Sequence, residues 1–350
     1  MAYTTIKKPS NYFDTVLRNG LNGTTDTSYS LNFQPDFLWD KSRSITGVHS
    51  LFDSVRGVGA SGKVLYSHLD NVEATNGLVK SFDTNGFTIE ESADNSTSVT
   101  IVDWCWKANG TGVSNTDGSI TSTVSANTTS GFSIVSYTGN ATAGATVGHG
   151  LGDTPAMIIC KARNDVLNWQ TYHKSLGATK GIFLDLTDTP YTFPVYWNDT
   201  APNSSVFTLG NYNGGNDDDV MIAYCFAEKK GFSKFGSYTG NGSLDGTFIY
   251  TGFKPAWVVI KRTDAINSWV MFDNKRDGTY GLSGNPRARH LYTNTSDPED
   301  SADNYNKVDF VSNGFKVRED NTTINASGGS YIYMAIAEEP LVGDNPCTAR

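Results

Sequence analysis

The sequence predicts an all-β protein built from three tandem β-sandwich-like repeats of about 100 residues each. Aromatic residues make up 12% of the 350 residues and occur among many Gly, Ser, Thr and Asn residues. This composition is typical of strands joined by tight turns. Helical periodicity is scarce, and the same short motifs recur along the chain at fixed offsets. Together these observations favour repeated β units over a helical or disordered chain.

Each repeat contains a proline followed by a short, mostly apolar run that ends on a lysine. The proline and lysine pairs are Pro35 and Lys41, Pro155 and Lys161, and Pro255 and Lys261. Because the runs are apolar at consecutive positions, they predict a central strand buried on both faces. In the third copy, residues 263–267 separate this strand from the next apolar run, which predicts a hairpin.

The recurring motifs also divide the chain. The repeats occupy residues 11–107, 132–230 and 231–340. Residues 108–131 are rich in Ser, Thr, Asn and Gly and are interpreted as a linker, an exposed polar strand being the alternative. Residues 1–10 are expected to form an N-terminal anchoring arm, and 341–350 a C-terminal tail, both ordered only against a partner. The repeats could also pack about a pseudo-threefold axis and so mimic a trimer within one chain.

Charge and hydropathy exclude several classes of partner. The net charge is −9 and the basic residues form no cluster, which argues against nucleic acid. No apolar run approaches the length of a membrane span, so membrane insertion is not expected. The first residues lack the apolar core of a secretory signal. No nucleophile elbow, HExxH motif, P-loop or paired-cysteine motif is present, so we expect neither an enzyme nor a bound metal or cofactor.

Polar residues that recur in the repeats are interpreted as structural. An arginine follows each lysine, at Arg43, Arg163 and Arg262, and these basic pairs are expected to form ion pairs beside the hairpin. Contact with an acidic ligand is the alternative. Asp53 and Arg56 match Asp273 and Arg276, whereas the second repeat has His173 and Leu176. The histidines form no cluster, and Cys105, Cys160 and Cys225 lie in apolar runs, which predicts buried, unpaired thiols.

Two kinds of segment are candidates for binding. Acidic residues at 216–219 and 297–303 are interpreted as solvated turns, with Ca²⁺ binding as the alternative, since neither keeps the spacing of an EF-hand. Residues 189–199 contain four aromatics and two prolines in a loop-like stretch. Rigid aromatic faces suit interfaces and sugar stacking. Binding candidates are therefore Tyr191, Tyr196 and Trp197, and the alternative is that they cap their own sandwich or an adjacent subunit.

Several motifs together resemble a repeat-bearing family of virion proteins encoded by marine tailed bacteriophages, including cyanophages. The likeness spans nearly the whole chain and is carried by residues 9–13, 36–41, 51–57, 81–87, 104–110, 118–132 and 232–242. Asp40 departs from the apolar residue expected in the family, which predicts a less regular central strand in the first repeat. The resemblance implies a structural, tail-fibre-like virion protein on the tail or capsid exterior, and it implies no catalytic residues.

The leading hypothesis is therefore a phage fibre or tail-associated protein that attaches to the host surface. We expect it to form a homo-oligomer, a trimer, to contact other virion proteins through its N-terminal arm, and to present loops to host glycan. A capsid decoration or tail adaptor protein without a receptor role is the first alternative. A depolymerase of host polysaccharide is the second, and it would need two carboxylates facing each other across a cleft.

Overall fold

In the computed structural model each repeat folds as a large antiparallel sheet packed against a small one. The structure describes residues 4–21, 23, 25–90, 97–276, 285–299 and 307–344. Strands dominate the described residues, which confirms the all-β, sandwich-like fold. Among them, no helix is long and apolar enough to cross a bilayer.

Repeat 1 follows a short 3-10 turn at Pro9–Asn11. Its large sheet has the order β1-β9-β3-β4-β5-β6, and its small sheet the order β2-β8-β7. The strands are β1 (Phe13–Asn19), β2 (Thr27–Ser30), β3 (Phe37–Ser42), β4 (His49–Asp53), β5 (Lys63–Tyr66), β6 (Ala74–Thr75), β7 (Val79–Asp83), β8 (Gly86–Ile89) and β9 (Thr100–Trp106).

Repeat 2 has the largest sheet, ordered β10-β11-β12-β19-β14-β15-β16-β17, and a two-stranded sheet of β13 and β18. One helical turn, α1, precedes its last strand. The bounds are β10 (Val113–Asn115), β11 (Ser122–Asn127), β12 (Phe132–Thr138), β13 (Thr146–Gly148), β14 (Pro155–Ala162), β15 (Gln170–His173), β16 (Lys180–Phe183), β17 (Tyr191–Thr192), β18 (Val206–Thr208), α1 (Asn213–Asn216) and β19 (Val220–Ala227).

Repeat 3 repeats this plan, with a large sheet ordered β20-β27-β22-β23-β24 and a small sheet ordered β21-β26-β25. A helical turn, α2, again precedes the last strand. The bounds are β20 (Ser233–Thr239), β21 (Phe248–Tyr250), β22 (Phe253–Arg262), β23 (Trp269–Asp273), β24 (Leu291–Tyr292), β25 (Val308–Val311), β26 (Gly314–Val317), α2 (Thr322–Asn325) and β27 (Ser330–Pro340).

The predicted central strands are β3, β14 and β22. Each lies between the last strand of its repeat and the second strand of its hairpin, and is paired antiparallel to both. Side chains alternate between two cores, as strand geometry requires. In β3, Phe37 and Trp39 face a core shared by all three repeats, whereas Leu38 faces the small sheet of its own repeat. Consecutive apolar residues are therefore needed on this strand, and the predicted central strand and hairpin are confirmed.

The shared core joins the three large sheets. Trp104, Tyr224 and Met334 occupy equivalent positions on β9, β19 and β27, opposite the central strand of each repeat. Side chains from all three repeats line an apolar void of about 20 Å³, room for about one water molecule. The repeats therefore do not form separate domains along the chain. They pack around one axis, in the pseudo-threefold arrangement that the sequence analysis gave as an alternative.

A chain of polar contacts also passes through all three repeats. The Ser67 hydroxyl of repeat 1 donates to the Thr293 carbonyl of repeat 3 at 2.8 Å. The Thr293 hydroxyl in turn donates to the Leu184 carbonyl of repeat 2 at 3.1 Å. All three residues are buried. Repeat 3 thus touches both others. The Trp169 indole of repeat 2 donates to the Tyr66 carbonyl of repeat 1 at 2.9 Å, so each repeat touches both others, as cyclic packing requires.

Two expectations about the segments outside the repeats are wrong. Residues 108–131 hold β10 and β11, and β11 pairs with β12, so the linker interpretation is wrong and its alternative, a polar strand, describes this stretch. Residues 4–10 do not form a free arm, because Ile6 is buried in the shared core. The Asp344 amide donates to the Lys7 carbonyl, so the start of the tail lies beside the N-terminal segment. Residues 1–3 and 345–350 lie outside the described residues.

Asp40 does not disturb β3, contrary to expectation. Its pairing with β9 is regular, and Asp40 lies opposite Asp103. Arg18 reaches Asp40 Oδ2 with Nη2 at 2.6 Å and Asp103 Oδ2 with Nε at 2.7 Å. The corresponding residues of repeat 2 are Tyr137, Cys160 and Ala223. Repeat 1 therefore replaces an apolar cluster by a buried cation shared between two carboxylates.

Candidate functional site

The recurring polar residues lie at the interfaces between repeats. The three recurring lysines, each one residue before the end of its central strand, are fully buried. Lys41 Nζ donates to the Ser296 carbonyl at 3.2 Å, and Lys261 Nζ to the Thr187 carbonyl at 2.9 Å, each in a neighbouring repeat. Lys161 Nζ donates to carbonyls around its own hairpin loop. Burial lowers the pKa of each lysine to about 8. These lysines hold loops by main-chain carbonyls, not by the ion pairs the sequence predicts.

The arginines that follow the lysines form ion pairs in all three repeats. Only Arg262, which binds Asp264 in its own hairpin loop, forms the pair that the sequence predicts. The pairs of Arg43 and Arg163 cross between repeats. Arg43 of repeat 1 binds Glu299 of repeat 3 through Nε at 2.8 Å and Nη2 at 3.2 Å. Arg163 of repeat 2 binds Glu73 of repeat 1 at 2.8 and 3.0 Å. Both are two-point pairs, the strongest geometry available to arginine. Glu299 belongs to the second acidic segment, whose residues 300–303 lie outside the described residues.

The interface between repeats 1 and 2 contains a buried three-residue network. Arg56 Nε donates to Asp53 Oδ2 at 2.5 Å within repeat 1. The Tyr224 hydroxyl of repeat 2 donates to the same oxygen at 2.8 Å and accepts from Arg56 Nη2 at 3.1 Å. Burial raises the pKa of Tyr224 well above its usual range. The phenol therefore stays protonated and completes a neutral network between the repeats.

The interface between repeats 3 and 1 has the same plan with another donor. Arg276 Nε donates to Asp273 Oδ2 at 2.6 Å, and the Trp104 indole of repeat 1 donates to that oxygen at 3.0 Å. The Arg276 guanidinium also lies 5.5 Å from the Trp104 ring centroid, a cation–π distance. Burial acts to raise the pKa of Asp273, but Arg276 outweighs it and the pKa is lowered. Trp104 thus takes the place of Tyr224.

The interface between repeats 2 and 3 explains why the ion pair is missing from repeat 2. The residue equivalent to Tyr224 is Met334, which offers no hydrogen-bond donor to a carboxylate. His173 stands in place of the acid, and its Nε2 lies 3.1 Å from the Tyr333 carbonyl. Arg262 pairs within its own loop, with Asp264. The two partners have thus diverged together, and this interface lacks the buried Arg–Asp pair of the other two.

A second recurring position, occupied by tryptophan, bonds repeats 2 and 3 to a neighbouring repeat. Eight residues after the lysine, the Trp169 indole donates to the Tyr66 carbonyl of repeat 1 at 2.9 Å. The Trp269 indole donates to the Phe183 carbonyl of repeat 2 at 2.9 Å. The same offset in repeat 1 gives His49, which is buried. Sequence reasoning aligned the two tryptophans but missed His49, although its offset from Lys41 identifies it.

The predicted aromatic binding site is not assembled. Tyr196 is 6% exposed and Trp197 1% exposed, and both pack in the core of repeat 2. Trp197 lies edge-on to Tyr172, with ring centroids 5.7 Å apart. Of the three candidates only Tyr191 is exposed, beside the exposed Phe193. Tyr196 and Trp197 are therefore withdrawn as ligand contacts, and the alternative that they cap their own sandwich describes them.

The first acidic segment is organised around an asparagine. Asn216 Nδ2 donates to the Gly210 carbonyl at 2.6 Å, and Oδ1 accepts from the Asn140 amide at 3.0 Å. In repeat 3, Asn325 Oδ1 accepts from the Asn241 amide at 3.0 Å in the same way. In both repeats the amide belongs to the last residue of a Tyr-Thr-Gly-Asn sequence, at 137–140 and 238–241. In the part of the chain that the structure describes, no group of three His, Cys, Asp or Glu side chains could hold a metal ion.

The cysteines behave as predicted where they are described. Cys105, Cys160 and Cys225 are buried and unpaired. Burial raises the pKa of Cys160 to about 12, which keeps the thiol protonated and unreactive. Cys347 lies outside the described residues.

Comparison with known proteins places the chain in a family without assigning its activity. Residues 8–340 match the model of a domain of unknown function, DUF7483, so the chain belongs to that family. No curated protein matches the chain. No solved structure matches it either.

Proposed function

We propose that this chain is a structural, tail-fibre-like protein of the virion of a tailed bacteriophage, on the exterior of the tail or capsid. The proposal is supported by the position of the recurring polar side chains, which lie between repeats. They bond one repeat to the next, as in the contacts of Arg163, Tyr224 and Trp104. A catalytic protein is expected to direct such groups into a cleft open to substrate. Here they stabilise the packing of three sheets.

The polysaccharide depolymerase is the less favoured function. Glycoside hydrolysis needs one carboxyl group with a raised pKa as an acid and a second facing it across a cleft. The buried Asp53 and Asp273 instead bind arginine in their own repeats. Arg276 keeps the pKa of Asp273 below its usual value despite burial. This environment is opposite to that of a general acid.

We further propose that the protein attaches to glycan on the host surface. Its proposed partners in the virion are other virion proteins and copies of this chain. Residues 4–10 pack against their own chain, so we expect virion contacts to use another surface. The homotrimer stays a prediction, and light scattering of the purified protein would test it by measuring the molar mass. The three repeats already bury their apolar faces together, so a trimer would have to use exposed surface.

The virion assignment is tested on purified phage particles. Antibodies against the recombinant chain, with immunogold microscopy and mass spectrometry of salt-washed particles, should locate it on the tail or capsid. Its presence in the infected-cell lysate together with its absence from washed particles would overturn the proposal. Saturable binding of the labelled chain to host cells would support attachment, and a virion location without cell binding would favour the decoration or adaptor role.

A further inference from the structure

Strand β21 of repeat 3 presents two aromatic side chains to solvent. Phe248 is 45% exposed and Tyr250 56% exposed, whereas Ile249 between them is 5% exposed. Because side chains alternate along a strand, both aromatics lie on the outer face of the small sheet. We call the surface formed by Phe248 and Tyr250 the aromatic face.

The other repeats show that the fold does not need these aromatics. The register identifies the equivalent strands, since Ile249 lies opposite Phe315 as Val147 lies opposite Phe207. At the two outward positions repeat 1 has Ser28 and Ser30, and repeat 2 has Thr146 and Gly148. The same sheet thus forms with small side chains at these positions. An exposed aromatic pair that packing does not require points to a ligand.

The aromatic face is shaped by a glycine in the neighbouring strand. Gly314 lies opposite Tyr250 on one side and Val311 on the other. A Cβ at Gly314 would lie 3.2 Å from Phe248 Cε2, so the Phe248 ring lies close to the main chain there. The glycine therefore leaves room for the Phe248 ring over the neighbouring strand, where its face stays open to a ligand.

Charged side chains border the aromatic face. Lys316 lies opposite Phe248 in the register. Its Nζ lies 2.5 Å from Asp245 Oδ1, and Arg318 Nη1 lies 3.3 Å from the same oxygen. Arg318 also binds Asp309 at 2.5 Å. These four groups balance in charge while offering both donors and acceptors, so the border suits an uncharged ligand rich in hydroxyls.

The exposed area decides between a protein and a smaller ligand. An aromatic side chain carries on the order of 200 Å² of surface, so about half of two such side chains leaves roughly 200 Å² for contact. A stable protein interface needs about 800 Å² on each partner. A pyranose ring presents an apolar C–H face that covers one aromatic ring and hydroxyls around its edge. The aromatic face therefore fits a sugar better than a protein.

We propose that the aromatic face binds a neutral glycan, with sugar rings stacked on Phe248 and Tyr250 and hydroxyls bonded to Lys316 and Asp245. This inference rests on the proposed attachment to host glycan and gives it a site and a ligand class. It moves the contact from the aromatic loop of repeat 2 to the small sheet of repeat 3.

The test compares the intact chain with F248S/Y250S, which installs the residues that repeat 1 carries at these positions. Binding to immobilised host lipopolysaccharide, and to the polysaccharide released from it, is measured by biolayer interferometry. We expect at least a tenfold loss of affinity with an unchanged melting temperature. The matched controls are F193S, which removes another exposed aromatic, and F248Y/Y250F, which keeps both rings. Both should bind within threefold of the intact chain.

Three results would overturn the inference in distinguishable ways. Equal binding by the intact chain and F248S/Y250S would show that the aromatic face is not the binding site, while host attachment would still be supported. Binding to whole host cells without binding to either carbohydrate probe would exclude glycan as the ligand, while host attachment would still be supported. Failure of the folded chain to bind cells or carbohydrate would overturn both the glycan site and host attachment, whereas the virion assignment is tested separately on washed particles.

Discussion

Replacing Tyr224 by Phe tests whether the interface between repeats 1 and 2 depends on its buried network. The change removes one hydroxyl, which donates to Asp53 and accepts from Arg56, and keeps the ring in the shared core. Hydrogen bonds to charged groups contribute about 1.5–3 kcal/mol each. Asp53 keeps the Arg56 side chain and two main-chain amides, and Arg56 keeps the Leu51 carbonyl. We therefore expect Tyr224→Phe to lower the free energy of unfolding by roughly 2–3 kcal/mol.

The same value predicts a shift in melting temperature. The entropy of unfolding is about 2.1 cal/mol/K per residue, hence roughly 0.7 kcal/mol/K for a chain of 350 residues. If the three repeats unfold as one unit, the melting temperature falls by about 3–4 °C and the transition stays single. Separate unfolding of the repeats would produce more than one transition.

Differential scanning calorimetry and urea unfolding monitored by tryptophan fluorescence measure both quantities. Tyr250→Phe is the matched control, because this exposed hydroxyl change is expected to alter stability by less than about 0.5 kcal/mol. A Tyr224→Phe chain as stable as the control would refute the contribution of the network. Two resolved transitions in the unchanged chain would refute the shared core as a cooperative unit.

Two further predictions concern buried titratable side chains, a neutral histidine and an arginine. Burial lowers the pKa of His173 to about 4, and both ring nitrogens are hydrogen-bonded in the neutral form. Between pH 6.5 and 4 the unfolded chain therefore binds a proton that the folded chain refuses, so stability falls as pH falls through this window, by at most about 1.4 kcal/mol per pH unit for this group. Urea unfolding at pH 7, 6 and 5 should give a smaller slope for His173→Gln, and an unchanged slope would contradict the assignment. Arg18→Met leaves the buried Asp40 and Asp103 without their shared cation and should cost about 3–5 kcal/mol. Arg18→Tyr with Asp40→Cys and Asp103→Ala, the residues of repeat 2, should recover most of that loss in the same assay, and a triple variant as unstable as Arg18→Met would oppose this explanation.

Much of each repeat was predictable because its signals are local. The consecutive apolar residues of β22 require burial on both faces, whatever lies beyond. The fixed offset from proline to lysine identified the central strand in all three copies, and residues 263–267 identified the hairpin of the third. Cys160 and Cys225 lie inside such strands, so their burial follows from the same pattern.

The candidate site was less predictable, because aromatic side chains serve both cores and surfaces. Tyr196 and Trp197 have the composition of a binding loop, yet they fill the core of repeat 2. Phe248 and Tyr250 occupy a short strand without any unusual motif and are exposed. Phe248 and Tyr250 are distinguished from core residues by comparing the equivalent strands of the three repeats. That comparison needs the register of strand pairing, which the sequence does not give.

The sequence alone determined the all-β class, the three copies and the central strands, since alternation and repeat spacing are properties of neighbouring residues. The tertiary structure decided how the copies meet. Asp53 and Tyr224 are 171 residues apart in the chain and share a hydrogen bond. Met334 replaces the donor where His173 replaces the acid. Such pairings depend on which sheet faces which, and that is set by packing of the shared core rather than by any local pattern.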